Sequence, residues 1–136
     1  MVEMRRKTID TTILALAAIG LLDSIYLTYV HYAGIPAACP AIGIINCNNV
    51  LNSPYAVIFG IPIAVYGLLF FIFEFVLLYL KRYDIATYYN GIGIAGVVYF
   101  LYLEKLIGSI CVYCTLVHVI VVCLLILSVY RHTVTD

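Results

Sequence analysis

Four runs of apolar residues dominate this sequence, at roughly 11–31, 54–80, 85–103 and 111–130. A helix crossing about 30 Å of hydrocarbon needs about 20 apolar residues, so each run is long enough for one crossing. Only Lys81-Arg82-Tyr83-Asp84 separates the second run from the third, and only the segment from Glu104 to Ser109 separates the third from the fourth. Connections that short make neighbouring spans antiparallel. Membrane strands would alternate apolar and polar residues in segments of about ten, and no such alternation is visible. The expected fold is an all-α membrane protein. It has a single transmembrane domain over residues 1–136, a four-helix transmembrane bundle with a long extracytoplasmic loop, 32–53, between the first and second helices.

Composition points the same way. The chain is 65% hydrophobic and 10% charged, against about 45–50% and about 25% in an ordinary soluble domain. One water-soluble core of this size cannot hide so much apolar side chain. Seven Lys and Arg against seven Asp and Glu leave no basic excess, which argues against a nucleic-acid partner. The first run is longer than the 7–15 residues of a signal-peptide core, so it is read as a retained span.

The basic residues orient the bundle. With the N-terminus inside, Arg5, Arg6, Lys7, Lys81, Arg82 and Arg131 all fall on the cytoplasmic side and only Lys105 falls outside. That is the positive-inside pattern. A multi-pass protein of the cell membrane is expected, with both termini cytoplasmic and the active site extracytoplasmic. The outer loop carries Gly34, Pro36, Pro40 and Gly43 and no charged residue, so it is expected to fold down over the mouth of the bundle. Ser53-Pro54 reads as the N-cap and first residue of the second span. Pro62 should adjust the start of that span. Gly60 with Ala64, and Gly91 with Ala95, read as small-residue pairs for close helix packing.

In this topology four of the five cysteines lie on the outer side. Cys39 and Cys47 are in the loop, and Cys111 and Cys114 are where the chain re-enters the membrane. Cys123 lies mid-span and reads as a small buried hydrophobe. Cys111-Val-Tyr-Cys114 places two sulfurs on one face of a helix start. A helix N-terminus favours the thiolate, as reversible thiol–disulfide exchange requires. Thr115 follows instead of His, which excludes c-type haem attachment. Four cysteines could hold zinc, but only one of the two pairs has the usual ligand spacing, and no metal is expected. The alternative class is a non-enzymatic membrane subunit with structural disulfides or a Cys-bound zinc. It leaves unexplained why Cys111 and Cys114 sit at the membrane surface.

Disulfide exchange moves two electrons, and the chain shows no haem ligand pair, nucleotide fingerprint or flavin loop. A lipid-soluble quinone is therefore the expected acceptor, with its headgroup against Cys114 and its tail in the bundle.

At these residues the sequence resembles the vitamin K epoxide reductase family, in its prokaryotic stand-alone form, over nearly the whole chain. Cys39 and Cys47 have the family's eight-residue offset, and Asn-Asn-Val-Leu-Asn-Ser53 follows Cys47 at the family's Cys-to-Ser/Thr spacing. Phe59-Gly60-Ile61-Pro62 with Gly67 resembles the prokaryotic pattern, and Cys111-Val-Tyr-Cys114 occupies the place of the active-site pair. The resemblance implies a membrane thiol oxidoreductase that supports disulfide formation. In it Cys39 exchanges with a separate thioredoxin-like or DsbA-like protein, and Cys47 relays electrons through a transient Cys47–Cys111 disulfide. Cys114 then faces a quinone of menaquinone, ubiquinone or vitamin K type. It also implies that Ser53 hydrogen-bonds near the relay and that Phe59 lines the headgroup pocket. Two positions depart from the vertebrate pattern. Ala56 stands where those members have Asn, and His118 where they have Tyr. Both are headgroup positions there, so the departures favour ordinary quinone reduction over epoxide reduction. DsbB-type enzymes do similar work but carry their two cysteine pairs in the opposite order.

Asp23, Glu74 and His118 are polar residues within the runs. Asp23 is read as a buried neutral acid with a supporting role, with a proton relay as the alternative, and His118 as a hydrogen-bond donor to a quinone oxygen or a satisfied interior histidine. Glu74 is expected to snorkel or to pair with Lys81 or Arg82. The many tyrosines read mainly as interfacial anchors.

Overall fold

The computed structural model describes residues 2–39 and 42–135. In chain order it has α1 (Val2–Ala33), α2 (Cys47–Leu51), a 3₁₀ turn (Pro54–Ala56), β1 (Val57–Ile58), β2 (Ile61–Pro62), α3 (Ile63–Tyr79), α4 (Tyr83–Ile107) and α5 (Val112–Thr135). Helices α1, α4 and α5 are long and apolar enough to cross a bilayer, and α3, at 17 residues, is a shorter apolar helix. The chain is an all-α membrane protein.

The second apolar run is not one helix from Pro54. Ser53 does cap, its Oγ accepting from the Tyr55 N–H at 3.2 Å, but what it caps is a single 3₁₀ turn. Strands β1 and β2 then pair antiparallel, Val57 with Pro62 and Ile58 with Ile61. The reason is local. Pro62 lacks an N–H and disfavours the α conformation at Ile61 before it. Phe59 and Gly60 make the connecting turn with φ of 55° and 76°, a region open to glycine at little cost. Helix α3 therefore starts at Ile63 and spans about 25 Å.

Helix α1 packs against α3 and α5, and α4 packs against α5, while α3 and α4 touch more sparsely. One apolar core gathers Ile13, Ala17, Phe71, Leu78, Ala86 and Leu124. A second, toward the other end, gathers Leu27, Val30, Val50 and three cysteines, Cys47, Cys111 and Cys114.

The small-residue pairs are not the packing points. A Cβ on Gly60 or Gly91 would meet nothing within 4 Å, and Ala95 is exposed. The close approaches are at Gly20, where a Cβ would come 2.5 Å from the Phe71 ring, and Gly93, where it would come 2.7 Å from Phe70. Gly20→Val should therefore destabilise the bundle by about 1–3 kcal/mol, the usual cost of overpacking. A thermal melt in detergent that matches the parent would refute this.

The alternation of helix directions brings Arg5, Arg6, Lys7, Lys81, Arg82 and Arg131 to one end, here called the basic end, and Lys105 to the other. At the basic end Arg131 Nε donates to Asp10 Oδ1 at 2.7 Å, and its guanidinium lies 4.6 Å from the Tyr83 ring centroid. Glu74 does not snorkel toward Lys81 or Arg82. It is fully buried and accepts a 2.8 Å hydrogen bond from Asn90 Nδ2. A carboxyl in an apolar bundle takes the nearest interior donor when reaching water would unpack its helix.

Candidate active site

The loop after α1 folds back across the end of the bundle, and its polar residues hold it there. Asn48 Oδ1 accepts from the Ala37 N–H at 2.9 Å, and the Tyr26 hydroxyl accepts from the Ala38 N–H at 3.0 Å. The Tyr113 hydroxyl donates to the Ala38 carbonyl, and the Tyr26 and Tyr113 rings lie 5.3 Å apart. One tyrosine from α1 and one from α5 thus clamp the residue before Cys39. These two are tethers of the loop, a role beyond interfacial anchoring.

A second set of bonds fixes Cys47. The Asn46 N–H donates to the Ile110 carbonyl at 3.0 Å, and the Ile110 N–H donates to the Ile44 carbonyl at 2.7 Å. This bridge ties the loop to the residue just before Cys111. Asn46 caps α2, its Oδ1 accepting from the Asn49 N–H, and Asn49 Nδ2 donates to Ser109 Oγ at 3.3 Å. The short helix α2 therefore begins at Cys47 directly against the start of α5. The Val112 N–H donates to Cys47 Sγ at 3.3 Å, and the Cys114 N–H donates to Cys111 Sγ at 3.4 Å. The first N–H groups of a helix have no partner within it, and here they point at sulfur.

Cys39 and Cys47 form a disulfide, while Cys111 and Cys114 are free thiols. Burial grades along the four. Cys39 is half-buried, Cys47 is 1% exposed, Cys111 0% and Cys114 5%. Cys123 is a free thiol farther along α5.

On the inner side of Cys114 lies a cavity of about 310 Å³. Its wall includes Leu27, Phe70, Phe100, Val117 and His118, and it is almost wholly apolar. Ligand pockets start at about this size. Ala56 and His118 are both on the wall. His118 is buried, its ring 5.4 Å from Phe100, and its Nδ1 has no partner. Phe59 is elsewhere. It sits on the hairpin turn, 94% exposed, and does not reach the cavity. The φ of 55° that closes the turn also turns its side chain outward. Ser53 caps the 3₁₀ turn, and Ser109 Oγ accepts from Asn49 beside Cys47.

Asp23 is buried, with Oδ2 unpartnered. Glu104, unassigned from the sequence, is buried too, with Oε1 unpartnered. Glu104 stands next to Lys105 at the connection between the third and fourth runs, where no local signal marks it as buried. Phe100 is one more apolar residue in an apolar run, and no local signal marks it as wall.

Two cysteine pairs stacked at one end of a helical membrane bundle, one of them at a helix start beside an apolar cavity, form an arrangement suited to thiol–disulfide chemistry. The sequence matches the model of the vitamin K epoxide reductase family over residues 11–129. It is also 37% identical over 112 residues to the thiol-disulfide oxidoreductase LTO1 of Arabidopsis thaliana. That alignment covers 69% of this chain and 29% of the plant protein, so the chain spans well under half the length of that relative. The chain belongs to the vitamin K epoxide reductase family.

Proposed function

We propose that this protein oxidises the dithiol of a thioredoxin-like partner and passes the two electrons to a quinone, supporting disulfide formation on the extracytoplasmic side of the cell membrane. The observation that carries this reading is the order of the sulfurs. The accessible one is Cys39, the one lining an apolar cavity is Cys114, and Cys47 lies against the helix start that joins them.

The residues act in sequence. A partner thiolate attacks Cys39, breaking the Cys39–Cys47 disulfide. The partner's second thiol then closes the partner disulfide and frees Cys39. Cys47, now a thiolate, attacks Cys111 of an oxidised Cys111–Cys114 pair and expels Cys114 as thiolate. Cys39 then attacks Cys47, restoring its disulfide and releasing Cys111. A quinone in the cavity would take the two electrons, and two protons with them, as Cys111 and Cys114 close again. The cavity fits such a headgroup because it is apolar, holds one thiol, and offers one unpartnered ring nitrogen, Nδ1 of His118. His118 would orient the headgroup by a hydrogen bond. Ala56 keeps the wall open where a larger side chain would intrude, and Asp23 supports the thiol end. The basic end would face the cytoplasm, following the positive-inside rule.

The test is direct. Purified protein, a reduced thioredoxin-like protein and a soluble quinone should show loss of quinone absorbance. The double variant Cys111→Ala/Cys114→Ala should show none. Parental activity in that double variant would sink the mechanism.

A further inference from the structure

One helical turn from Phe70 and Phe71, toward the basic end, a second polar site lies inside the bundle. Glu74 on α3, Asn90 on α4 and Ser128 on α5 are all fully buried. Asn90 Nδ2 donates to Glu74 Oε1 at 2.8 Å and to the Ala86 carbonyl at 2.8 Å, with Ser128 Oγ at 3.5 Å. Two buried atoms are left without a partner, Glu74 Oε2 and Asn90 Oδ1. Both are acceptors if Glu74 is ionised, and burying unpaired acceptors in an apolar interior is costly. A proton on Glu74 removes the charge that the apolar interior penalises and turns one of its two carboxyl oxygens from acceptor to donor. A monovalent cation would need a fuller shell of oxygens than Glu74, Asn90 and Ser128 offer.

The site stands between two polar or reactive regions. Toward the cavity, Tyr89 stacks on Phe70 at 4.6 Å and donates to the Phe70 carbonyl at 2.9 Å. Phe70 and Phe71 are themselves on the cavity wall. Toward the basic end, Ser128 is one turn of α5 from Arg131. That residue pairs with Asp10, and its guanidinium lies over Tyr83. The Asp10 and Arg131 side chains keep 22% and 12% of their surface exposed, so this ion pair, one turn of α5 from Ser128, opens to the surface at that end.

We infer that Glu74, Asn90 and Ser128 form a proton-holding site that feeds quinone reduction from the basic end of the bundle, opposite the thiols. The inference rests on the quinone reading above. Oxidation of a partner dithiol releases two electrons and two protons at the thiol end. The electrons reach the quinone through the cysteine pairs, and the quinone becomes a quinol on taking two protons. Glu74 supplies one of these and is reprotonated from the basic end. Each disulfide formed thus removes one proton from the compartment at the basic end and leaves one net proton at the thiol end. A site that only tied three helices together would move no proton.

The experiment uses the whole protein in liposomes with a trapped pH dye. A reduced thioredoxin-like protein is added outside, so that only molecules with their thiols outward turn over. Quinone reduction is followed by absorbance in the same sample. The expected result is a lumen that loses about one proton per quinone reduced, for a two-electron couple. Glu74→Gln should lose this alkalinisation. Turnover of the parent with no lumen change would overturn the inference, as would undiminished alkalinisation in Glu74→Gln. A lumen signal that requires sodium in place of choline would overturn it in favour of a cation site. Absence of any quinone reduction would instead count against the quinone reading. The infrared carbonyl band of a protonated carboxylic acid, present in the parent and lost in Glu74→Gln, then reports on the site without turnover, and its absence from the parent would overturn the inference.

Discussion

In a Cys114→Ser variant, quinone reduction falls by on the order of 10³-fold or more, as expected for removal of a reacting nucleophile, and a Cys47–Cys111 disulfide accumulates. The reasoning starts from placement. Cys114 is the cysteine on the cavity wall, while Cys111 is fully buried and holds the Cys114 N–H on its sulfur. Serine keeps the volume and the helix but cannot carry the electrons onward. Cys47 lies against the Val112 N–H, next to Cys111, so the Cys111 thiolate can attack Cys47 of the Cys39–Cys47 disulfide, form the Cys47–Cys111 bond and release Cys39 as thiolate. Alkylation of free thiols followed by peptide mass spectrometry reads the trapped bond. A variant that turns over at the parental rate, or that traps Cys39 on Cys111 instead, would show that the electron order is different.

A Cys39→Ser variant should split the reaction in two. Turnover with a protein dithiol falls to background, because Cys47 is 1% exposed and Cys111 0%, and a thiol carried on a folded domain cannot approach them. The inner pair is left intact. Adding quinone to the reduced variant should still close Cys111–Cys114 and yield about one quinol per chain, the stoichiometry of a two-electron couple. Steady-state and single-turnover measurements on one preparation separate the two halves. Undiminished turnover with the protein dithiol would move the docking cysteine elsewhere.

Much of the architecture was legible in the sequence because it depends on local quantities. Run length identified α1, α4 and α5, and the short connections made their neighbours antiparallel. The second run misled because apolarity does not distinguish a helix from a hairpin when both are apolar. Pro62 and Gly60 carry the information about the break: Pro62 ends the hairpin and sets the start of α3, and does more than adjust a continuous span. The cysteine spacing pointed to Cys111 and Cys114, and the uncharged loop pointed to a cover over the bundle. What holds that cover in place, Asn48, Tyr26, Tyr113 and the Ile44–Ile110 bridge, was not legible. Each bond joins residues far apart in the chain, and none has a local signature.

The sequence by itself determined that the chain lives in a membrane and where its three long helices run, and it singled out the two cysteine pairs; it counted the second run as a full span where the structure has the shorter α3. Length, hydropathy and C-x-x-C spacing are properties of contiguous segments, and lipid enforces them span by span. Only the tertiary structure decided which faces turn inward. In hydrocarbon the outside of a helix is as apolar as its inside, so no stripe of polar residues marks the interior. Gly20 and not Gly91 meets a neighbour, Phe59 points away while Phe100 lines the cavity, and Glu74 finds Asn90 and Ser128 instead of the nearby basic residues. Those choices are made by packing between helices.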